Sequence, residues 1–238
     1  MKIESLQNAR VKEWCKLKEK KYRDETGLFL VEGEHLIEEA KKQNLIKEII
    51  SCEDTLDADF YVTKDIMKKI ASQMSISSRI AVCYKKKEEE LQNRVLILDN
   101  IQDPGNFGTI IRSAVAFGFT DIVVSLDTVD LYNEKVVRSS EGMLFHINVL
   151  RRELPSFLEK ITNDYQVFAT DVQKGENIKE IPLQDKIAIV IGNEGQGVRE
   201  EIKRYATHFL KIPMQGTCES LNAGVAASIL MYEVAVRK

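Results

Sequence analysis

Four short, almost uninterrupted apolar runs constrain the fold of this chain more than any other feature. They are VLILD (95–99), DIVVS (121–125), YQVFATD (165–171) and KIAIVIG (186–192), and helix-compatible segments separate them. Continuous Val and Ile runs are typical of strands buried on both faces, and their alternation with helices is typical of parallel sheets. We therefore predict an α/β fold for residues 95–238, with a mostly parallel sheet covered by helices on both faces.

The residues before these runs show a second, smaller α/β pattern. A helix-compatible stretch begins at Ser5 and continues through LQNARVKEWCKLKEKK. Further on, GLFLVEG, KEIIS, DFYVT and RIAVCYK indicate strands, and EHLIEEAKKQ and TKDIMKKIAS indicate helices. KKKEEELQNR (85–94) has a block of each charge and no apolar period, which is typical of a linker. We predict a small α/β domain at 1–88, a linker at 89–94 and the larger domain at 95–238.

Positive charge is concentrated near the amino terminus. The 238 residues carry a net charge of −3, whereas the first 23 hold eight Lys or Arg and three acidic residues. Such a cluster indicates a phosphate-binding surface, although the solvated face of an amphipathic helix has the same composition. The candidate phosphate-binding residues are Lys12, Lys16, Lys18, Lys20, Lys21 and Arg23, with Arg138, Arg151 and Arg152 as an extension.

Other features limit the class of protein. The sequence MKIESLQNAR lacks the apolar core of a secretory signal, so we expect a cytoplasmic protein. No apolar run approaches the roughly 20 residues of a membrane helix. The four cysteines lie far apart and predict plain thiols, and the three histidines are not close to one another, so we expect no metal site.

Three segments that follow predicted strands carry polar residues suited to chemistry. The first has the skeleton Asn106-x-Gly108-x-x-x-Arg112 after a turn signal at 103–105. If a helix begins near Thr109, Arg112 lies one turn in, beside Asn106, where it could grip a phosphate or a ribose. A plain strand–turn–helix with a surface arginine explains the same residues.

The second segment runs from Gly192 to Gly197 and has the order G-x-x-G-x-G. This order fits neither the dinucleotide fingerprint nor the P-loop, yet it indicates main-chain groups that face a ligand. Glu194 needs water or a cation in such a turn, and Arg112 is a natural partner. A simple glycine-rich turn is the alternative.

The third segment is KIPMQGTCESLNAGVAASILMYEVAV (211–236). Ser220 or Asn222 is well placed to cap the last helix, which is the usual role of Ser and Asn at such a position. Small residues at Ala223, Gly224 and Ala227 predict close packing of this helix. Taken alone, helix capping explains the segment.

Together and in this order, the three segments resemble the motifs of the SpoU (TrmH-like) branch of the SPOUT methyltransferases. N-x-G-x-x-x-R, G-N-E-G-x-G and I-P-M-x-G-x-x-x-S-L-N stand within residues 95–238. The first ninety residues are similar to the ribosomal-protein-like RNA-binding domain that often precedes this catalytic domain. There MSISSRIAVCY lacks the Pro-Gln-Gly expected before the last strand.

The resemblance implies an S-adenosylmethionine-dependent enzyme that methylates a ribose 2′-hydroxyl in structured RNA. It also implies a carboxyl-terminal trefoil knot and a homodimer that packs through the knotted domain. The two-domain layout favours 23S ribosomal RNA over transfer RNA as the substrate. Two alternatives stay open: a non-catalytic RNA-binding protein of ribosome assembly that retains the fold, and a nucleotide-dependent enzyme with a doubly wound sheet.

Motif positions assign roles to particular residues by resemblance. The implied catalytic residues are Asn106, Arg112, Glu194, Ser220 and Asn222. The implied cofactor-binding residues are Gly192, Asn193, Gly195, Ile212, Met214 and Leu221. Because guanidinium groups resist deprotonation in proteins, we do not expect Arg112 to act as a base. We expect Arg112 to orient the nucleophile and Glu194 to orient Arg112.

Overall fold

The chain divides into two units, each with its own sheet. The first unit comprises Met1–Lys87 and Asp130–Phe145, and the second comprises Glu88–Val129 and His146–Lys238. The computed structural model describes residues 1–54, 56–72, 77–193, 195–217 and 220–237. Among the helices of these ranges, none is long and apolar enough to cross a membrane.

The first unit is a mixed five-stranded sheet with helices packed against it. Its elements up to residue 87 are β1 (Lys2–Ile3), α1 (Ala9–Lys16), α2 (Lys20–Thr26), β2 (Leu28–Glu32), α3 (Glu34–Lys42), β3 (Ile46–Ser51), β4 (Phe60–Val62), α4 (Lys64–Ile70) and β5 (Arg79–Tyr84). The strand order is β1-β4-β3-β5-β2, in which β1, β4 and β3 are parallel and β5 is antiparallel to both of its neighbours. Val11 and Trp14 of α1 and Ile66 of α4 are buried in its core.

The amino-terminal helix differs from the prediction. The single helix expected from Ser5 is divided into α1, which Asn8 caps by accepting from Arg10 N at 2.9 Å, and α2, which Gly27 ends in the left-handed conformation (φ 67°). Arg23 explains the break, because its guanidinium donates to the carbonyl of Leu17 at 3.0 Å and to that of the next residue. The carbonyls at the end of α1 thus find a partner without a continuous helix.

The second unit contains the predicted parallel sheet. The remaining strands and α-helices, of which α6 belongs to the first unit, are β6 (Arg94–Leu98), α5 (Pro104–Ala116), β7 (Asp121–Val124), α6 (Glu134–Ser139), β8 (Asn148–Arg151), α7 (Leu154–Ile161), β9 (Gln166–Thr170), β10 (Ile187–Ile191), α8 (Glu200–Lys203), β11 (His208–Leu210) and α9 (Ala223–Ala235). The strand order is β11-β9-β10-β6-β7-β8, and every pairing is parallel. The predicted α/β architecture is confirmed. Since β11, β9, β10 and β6 are neighbours, the segments that follow them meet at one edge of the sheet.

Residues 130–145, which include α6, lie between β7 and β8 in sequence but pack with the first unit. The ring of Phe29 in β2 lies 4.5 Å from that of Tyr132 and 6.2 Å from that of Phe145. Arg23 Nη2 lies 2.7 Å from Asp130 Oδ2, and both side chains are largely buried. The sequence patterns assign this segment to the larger domain, whereas its contacts belong to the first unit.

Candidate functional site

A cavity of about 480 Å³ opens at the carboxyl edge of the parallel sheet. The segments after β9, β10 and β11 and the first turns of α9 form its walls. All six predicted cofactor-binding residues line it: Gly192, Asn193, Gly195, Ile212, Met214 and Leu221. The structure therefore brings together the second and third motifs, which lie about 20 residues apart in sequence, around a space of the size usual for small-molecule sites.

The glycine-rich turn after β10 requires glycine at its first position. A Cβ atom on Gly192 would lie 2.1 Å from the carbonyl carbon of Gly197, so the two main-chain segments can approach only because the side chain is absent. Asn193 and Gly197 pair through main-chain hydrogen bonds of 2.9 and 3.1 Å. The Asn193 side chain accepts from Gly195 N at 2.9 Å and donates to Asn100 O at 2.9 Å. It thereby fixes the turn against the end of β6.

Several main-chain donors at the cavity are unused within the described residues. Gly192 is buried, and in the described part of the chain its N–H makes no main-chain hydrogen bond; the N–H groups of Ile212 and Leu221 make none there either. Buried main-chain donors are nearly always paired in proteins, which indicates that a ligand or water supplies the partner of the Gly192 N–H. Ile212 and Leu221 are half-buried at the same cavity. An adenosine offers acceptors of the required kind, so these residues fit S-adenosylmethionine.

One wall of the cavity carries a strong ion pair. Lys203 Nζ lies 3.0 Å from Asp171 Oδ2, and both residues line the cavity. Burial raises the pKa of the Asp171 carboxyl, but hydrogen bonds from Lys203 and from the N–H groups of Gln173 and Lys174 outweigh it and lower the pKa to about 2. A hydrogen bond to Glu200 is the main cause of the raised pKa of Lys203. This wall therefore stays charged at neutral pH.

The first and third motifs meet where α5 and α9 pack. The expected start of α5 near Thr109 is wrong: Asp103 caps the helix by accepting from Asn106 N at 2.7 Å, and Pro104 stands in its first turn. Asn106 therefore lies in the first turn, and Arg112 lies two turns further on. Asn222 caps α9, as predicted, and its Nδ2 donates to Asn106 Oδ1 at 2.8 Å.

The five predicted catalytic residues fall into four groups. Asn106 and Asn222 are bonded to each other, and Ser220 lines the cavity. Arg112 is exposed on α5 and has no ion-pair partner among the residues that the structure describes. Glu194, its expected partner, lies outside the described residues. The roles of these five residues remain predictions.

Asp99 and Arg199 form a structural ion pair that the sequence patterns did not predict. Asp99 is fully buried at the end of β6, where it accepts from Arg199 N at 2.9 Å and from Arg199 Nε at 2.8 Å. This bond holds the segment after β10 against the end of β6. One feature of the sequence does indicate this pair: an aspartate directly follows a buried apolar run. A carboxylate at such a position needs a nearby cation.

The cations predicted to bind phosphate divide into exposed and structural ones. Lys12, Lys16, Lys20 and Lys21 are exposed on α1 and α2. Lys18 is also exposed, but its Nζ donates to the carbonyls of Lys69 and Ala71 at 2.9 and 2.8 Å.

Arg23 does not fit the predicted exposed surface. It is only 6% exposed, and both of its terminal nitrogens are committed to the fold, because they donate to two carbonyls and to Asp130. Arg151 likewise donates to carbonyls at the end of β7, and Arg152 pairs with Glu88. Of the three suggested extending arginines, only Arg138 is exposed.

The described part of the chain contains no cluster of three or more His, Cys, Asp or Glu side chains that could hold a metal ion. Cys15, Cys52 and Cys83 are unpaired thiols, and burial raises the pKa of Cys83 to about 12. Cys218 lies outside the described residues.

Comparison with known families identifies both parts of the chain. The SpoU rRNA Methylase family model matches residues 93–232, and the MRM3-like substrate binding domain model matches residues 8–82. A relative in Bacillus subtilis, 23S rRNA (guanosine(2553)-2'-O)-methyltransferase RlmP, is 38% identical over 243 residues, which cover 98% of this chain and 98% of that protein. The match extends through both units.

Solved structures agree with this assignment. A crystal structure of an RNA 2'-O ribose methyltransferase is 29% identical, with a TM-score of 0.81 over 98% of this chain and 97% of that one. The AdoMet-bound rRNA methyltransferase from Sinorhizobium meliloti is 26% identical, with a TM-score of 0.87 over 98% of this chain and 96% of that one. The resemblance predicted from the three motifs is confirmed, and the chain belongs to the SpoU rRNA methylase family.

Proposed function

We propose that this protein methylates a ribose 2′-hydroxyl of 23S ribosomal RNA and uses S-adenosylmethionine as the methyl donor. The observation that carries the proposal is the cavity at the sheet edge, whose unused main-chain donors come from the second and third SpoU motifs. The relative RlmP, similar over both units, supports the choice of 23S ribosomal RNA. Such a substrate implies a cytoplasmic protein.

The cavity residues hold the cofactor mainly through the main chain. S-adenosylmethionine, when bound, supplies an electrophilic methyl group on a positively charged sulfur. The N–H groups of Gly192, Ile212 and Leu221 hold its adenosine part, and Met214 packs against it. Because Asn193 and the Asp99–Arg199 pair hold the segment after β10 against the end of β6, the fold itself sets the position of Gly192.

The residues on α5 and around the start of α9 act on the RNA. Arg112 orients the ribose and stabilises the developing negative charge on its 2′-oxygen, while the proton leaves to a phosphate or to water. Glu194 orients Arg112. Asn106 and Asn222 hold the first turns of α5 and α9 in register, and Ser220 contacts the substrate from the edge of the cavity.

The exposed lysines of α1 and α2 provide the electrostatic part of RNA binding. Lys16 and Lys21 flank the ring of Tyr22, with Nζ atoms 5.1 and 6.0 Å from its centre. Removing one cation that binds a phosphate lowers the slope of log K against log salt by about one. We expect Lys16→Gln with Lys21→Gln to reduce this slope by about two, measured by filter binding.

The exposed face of α9 is suited to a homodimer. Val225, Tyr232 and Val236 are 46, 50 and 53% exposed, and the ring of Tyr232 also packs edge-on against Phe117 of α5. Burying these residues against a second copy would remove apolar surface from water. The trefoil knot and the dimer are both part of this proposal, and light scattering tests the dimer directly.

Mapping of 2′-O-methyl sites in RNA from cells with and without the gene tests the function. We expect one ribose methylation of 23S ribosomal RNA to disappear without the gene. Purified protein should restore it with labelled S-adenosylmethionine. Unchanged methylation in cells, together with no incorporation of label into ribosomal RNA, would contradict the proposal and favour the non-catalytic assembly protein.

A further inference from the structure

The first unit contains a second cavity, of about 250 Å³, that shares no residue with the cofactor cavity. Leu30, Leu36 and Val137 give it an apolar part, and Arg23 and Glu32 give it opposite charges. We propose that this cavity, named here the base cavity, binds one unpaired nucleobase of the substrate RNA. The inference rests on the proposed function, because it takes RNA to be the substrate.

Two charged side chains at the base cavity each have one buried atom without a hydrogen-bond partner among the described residues. Arg23 bonds through both terminal nitrogens, but its Nε, although buried, has no partner in the described part of the chain. Glu32 accepts from Ser72 N at 2.7 Å through Oε1, and its buried Oε2 has no partner there either. Leaving such atoms unpaired is costly, so a ligand in the cavity that reaches them is stabilised by pairing both.

These two groups together select the chemistry of the ligand. Arg23 offers a donor and Glu32 offers an acceptor at the same cavity. A phosphate would meet the negative charge of Glu32, and an apolar group would leave both atoms unsatisfied. The edge of a nucleobase carries N–H donors together with oxygen or nitrogen acceptors, and its flat face suits the leucines and the ring of Tyr132.

The position of the base cavity also suits RNA. Leu17 and Lys18, which connect α1 to α2, line it, and the exposed Lys16 and Lys20 lie on those same helices. Arg138, exposed on α6, lines it as well. A base can therefore enter the cavity while its flanking phosphates contact cations, which is the common arrangement for unstacked bases in RNA recognition.

Glu32→Gln provides the first test, because glutamine keeps the Oε1 acceptor for Ser72 and replaces Oε2 by a donor. We expect affinity for a 23S ribosomal RNA transcript to fall roughly tenfold. Affinity for S-adenosylmethionine should not change. Glu38→Gln, on the exposed side of α3, should leave both affinities unaltered. A Glu32→Gln protein with an altered melting temperature and wild-type RNA affinity would show a purely structural carboxylate and overturn the proposal.

A direct binding measurement separates this proposal from the proposed function. Saturation-transfer NMR on the full chain, with S-adenosylhomocysteine filling the cofactor cavity, would use the four nucleoside 5′-monophosphates and ribose 5-phosphate as probes. We expect saturation of the base protons of at least one nucleotide in the wild type and in Glu38→Gln, and its loss in Glu32→Gln. Ribose 5-phosphate should give no signal.

Three outcomes would overturn the proposal: no base signal, equal signals in Glu32→Gln, or a signal from ribose 5-phosphate that matches the nucleotides. None of these measurements requires methyl transfer. A protein that binds bases in this manner but methylates no RNA would contradict the proposed function and leave the base cavity intact.

Discussion

The two functional regions use the chain in opposite ways. Around the cofactor cavity, the proposed binding groups belong to the main chain, and side chains such as Asn193 and Arg199 hold that main chain in place. On α1 and α2, the proposed binding groups are exposed side chains, and the backbone is ordinary helix. The role of a glycine in a motif depends on the main chain at that position, so the sequence alone can indicate it. The role of a cation in a basic stretch depends on where its side chain lies, which the sequence does not show.

Arg23 tests this comparison with the largest expected effect. The sequence pattern placed it with the exposed lysines of the basic stretch, whereas its side chain is buried. Arg23→Met should lower the free energy of unfolding by about 3 kcal/mol, since it leaves the Asp130 carboxylate and two carbonyls unpaired. Urea denaturation measures the loss.

Lys21→Met is the matched control, since Lys21 is exposed, and we expect a change within about 0.5 kcal/mol. Equal losses of stability in the two variants would contradict the distinction between buried, structural cations and exposed cations. The double variant Arg23→Met with Asp130→Leu should recover part of the stability, because no unpaired charge then remains.

Arg112→Lys tests whether the first motif acts through geometry or through charge alone. Lysine keeps the charge and loses the planar fork, so we expect kcat to fall about 100-fold while the affinity for S-adenosylmethionine is unchanged. Single-turnover methylation with labelled cofactor measures the effect. Arg204→Lys, an exposed arginine of the same unit, is the control. Near-normal turnover of Arg112→Lys would refute an orienting role.

Two glycines of one turn test whether the main chain makes the cofactor site. In Gly192→Ala the new Cβ would lie 2.1 Å from the Gly197 backbone, whereas in Gly195→Ala its nearest neighbour would be 3.5 Å away. We expect Gly192→Ala to lose about 1–3 kcal/mol of stability and most of its cofactor affinity. Calorimetric titration with S-adenosylhomocysteine measures the affinity. Similar cofactor affinities for Gly192→Ala and Gly195→Ala would mean that the turn can accommodate a Cβ atom at position 192.

The smallest expected effect is a pH dependence that the two units share. The pKa of Asp171 is about 2 in the second unit, and hydrogen bonds from Lys20 and Lys85 lower the pKa of Asp24 to about 2 in the first. Unfolding returns each carboxyl to an ordinary pKa of about 3.9. Their stabilising contribution is therefore complete above about pH 4 and is lost as the pH falls towards 2.

Asp171→Asn and Asp24→Asn should each flatten the pH dependence of the melting temperature between about pH 4 and 2. Only Asp171→Asn should also weaken cofactor binding, because Asp171 lines the cofactor cavity and Asp24 does not. If Asp24→Asn weakened cofactor binding to the same degree, the cavity wall would have no special part in holding the cofactor.

Sequence patterns predicted the parallel sheet and the segments that line the cavity at its edge, because both depend on local order. The continuous apolar runs specify buried strands, and parallel strands bring the segments after them to one edge. The start of α5 was predicted five residues late, at Thr109 instead of Pro104. The reason is that proline is tolerated in the first turn of a helix, so the Asp-Pro-Gly signal marked a helix start and not a turn.

What the sequence determined by itself is the alternation of strands and helices in the larger domain, the glycine-rich turn after β10, and the family. Tertiary structure alone decided which cations stay at the surface, that residues 130–145 pack with the first unit, and that Asp99 meets Arg199. The physical reason is the distance along the sequence over which each kind of interaction acts. Apolar periodicity and glycine conformation act between near neighbours, whereas the partner of a charged side chain is chosen among residues that lie 100 positions away in sequence.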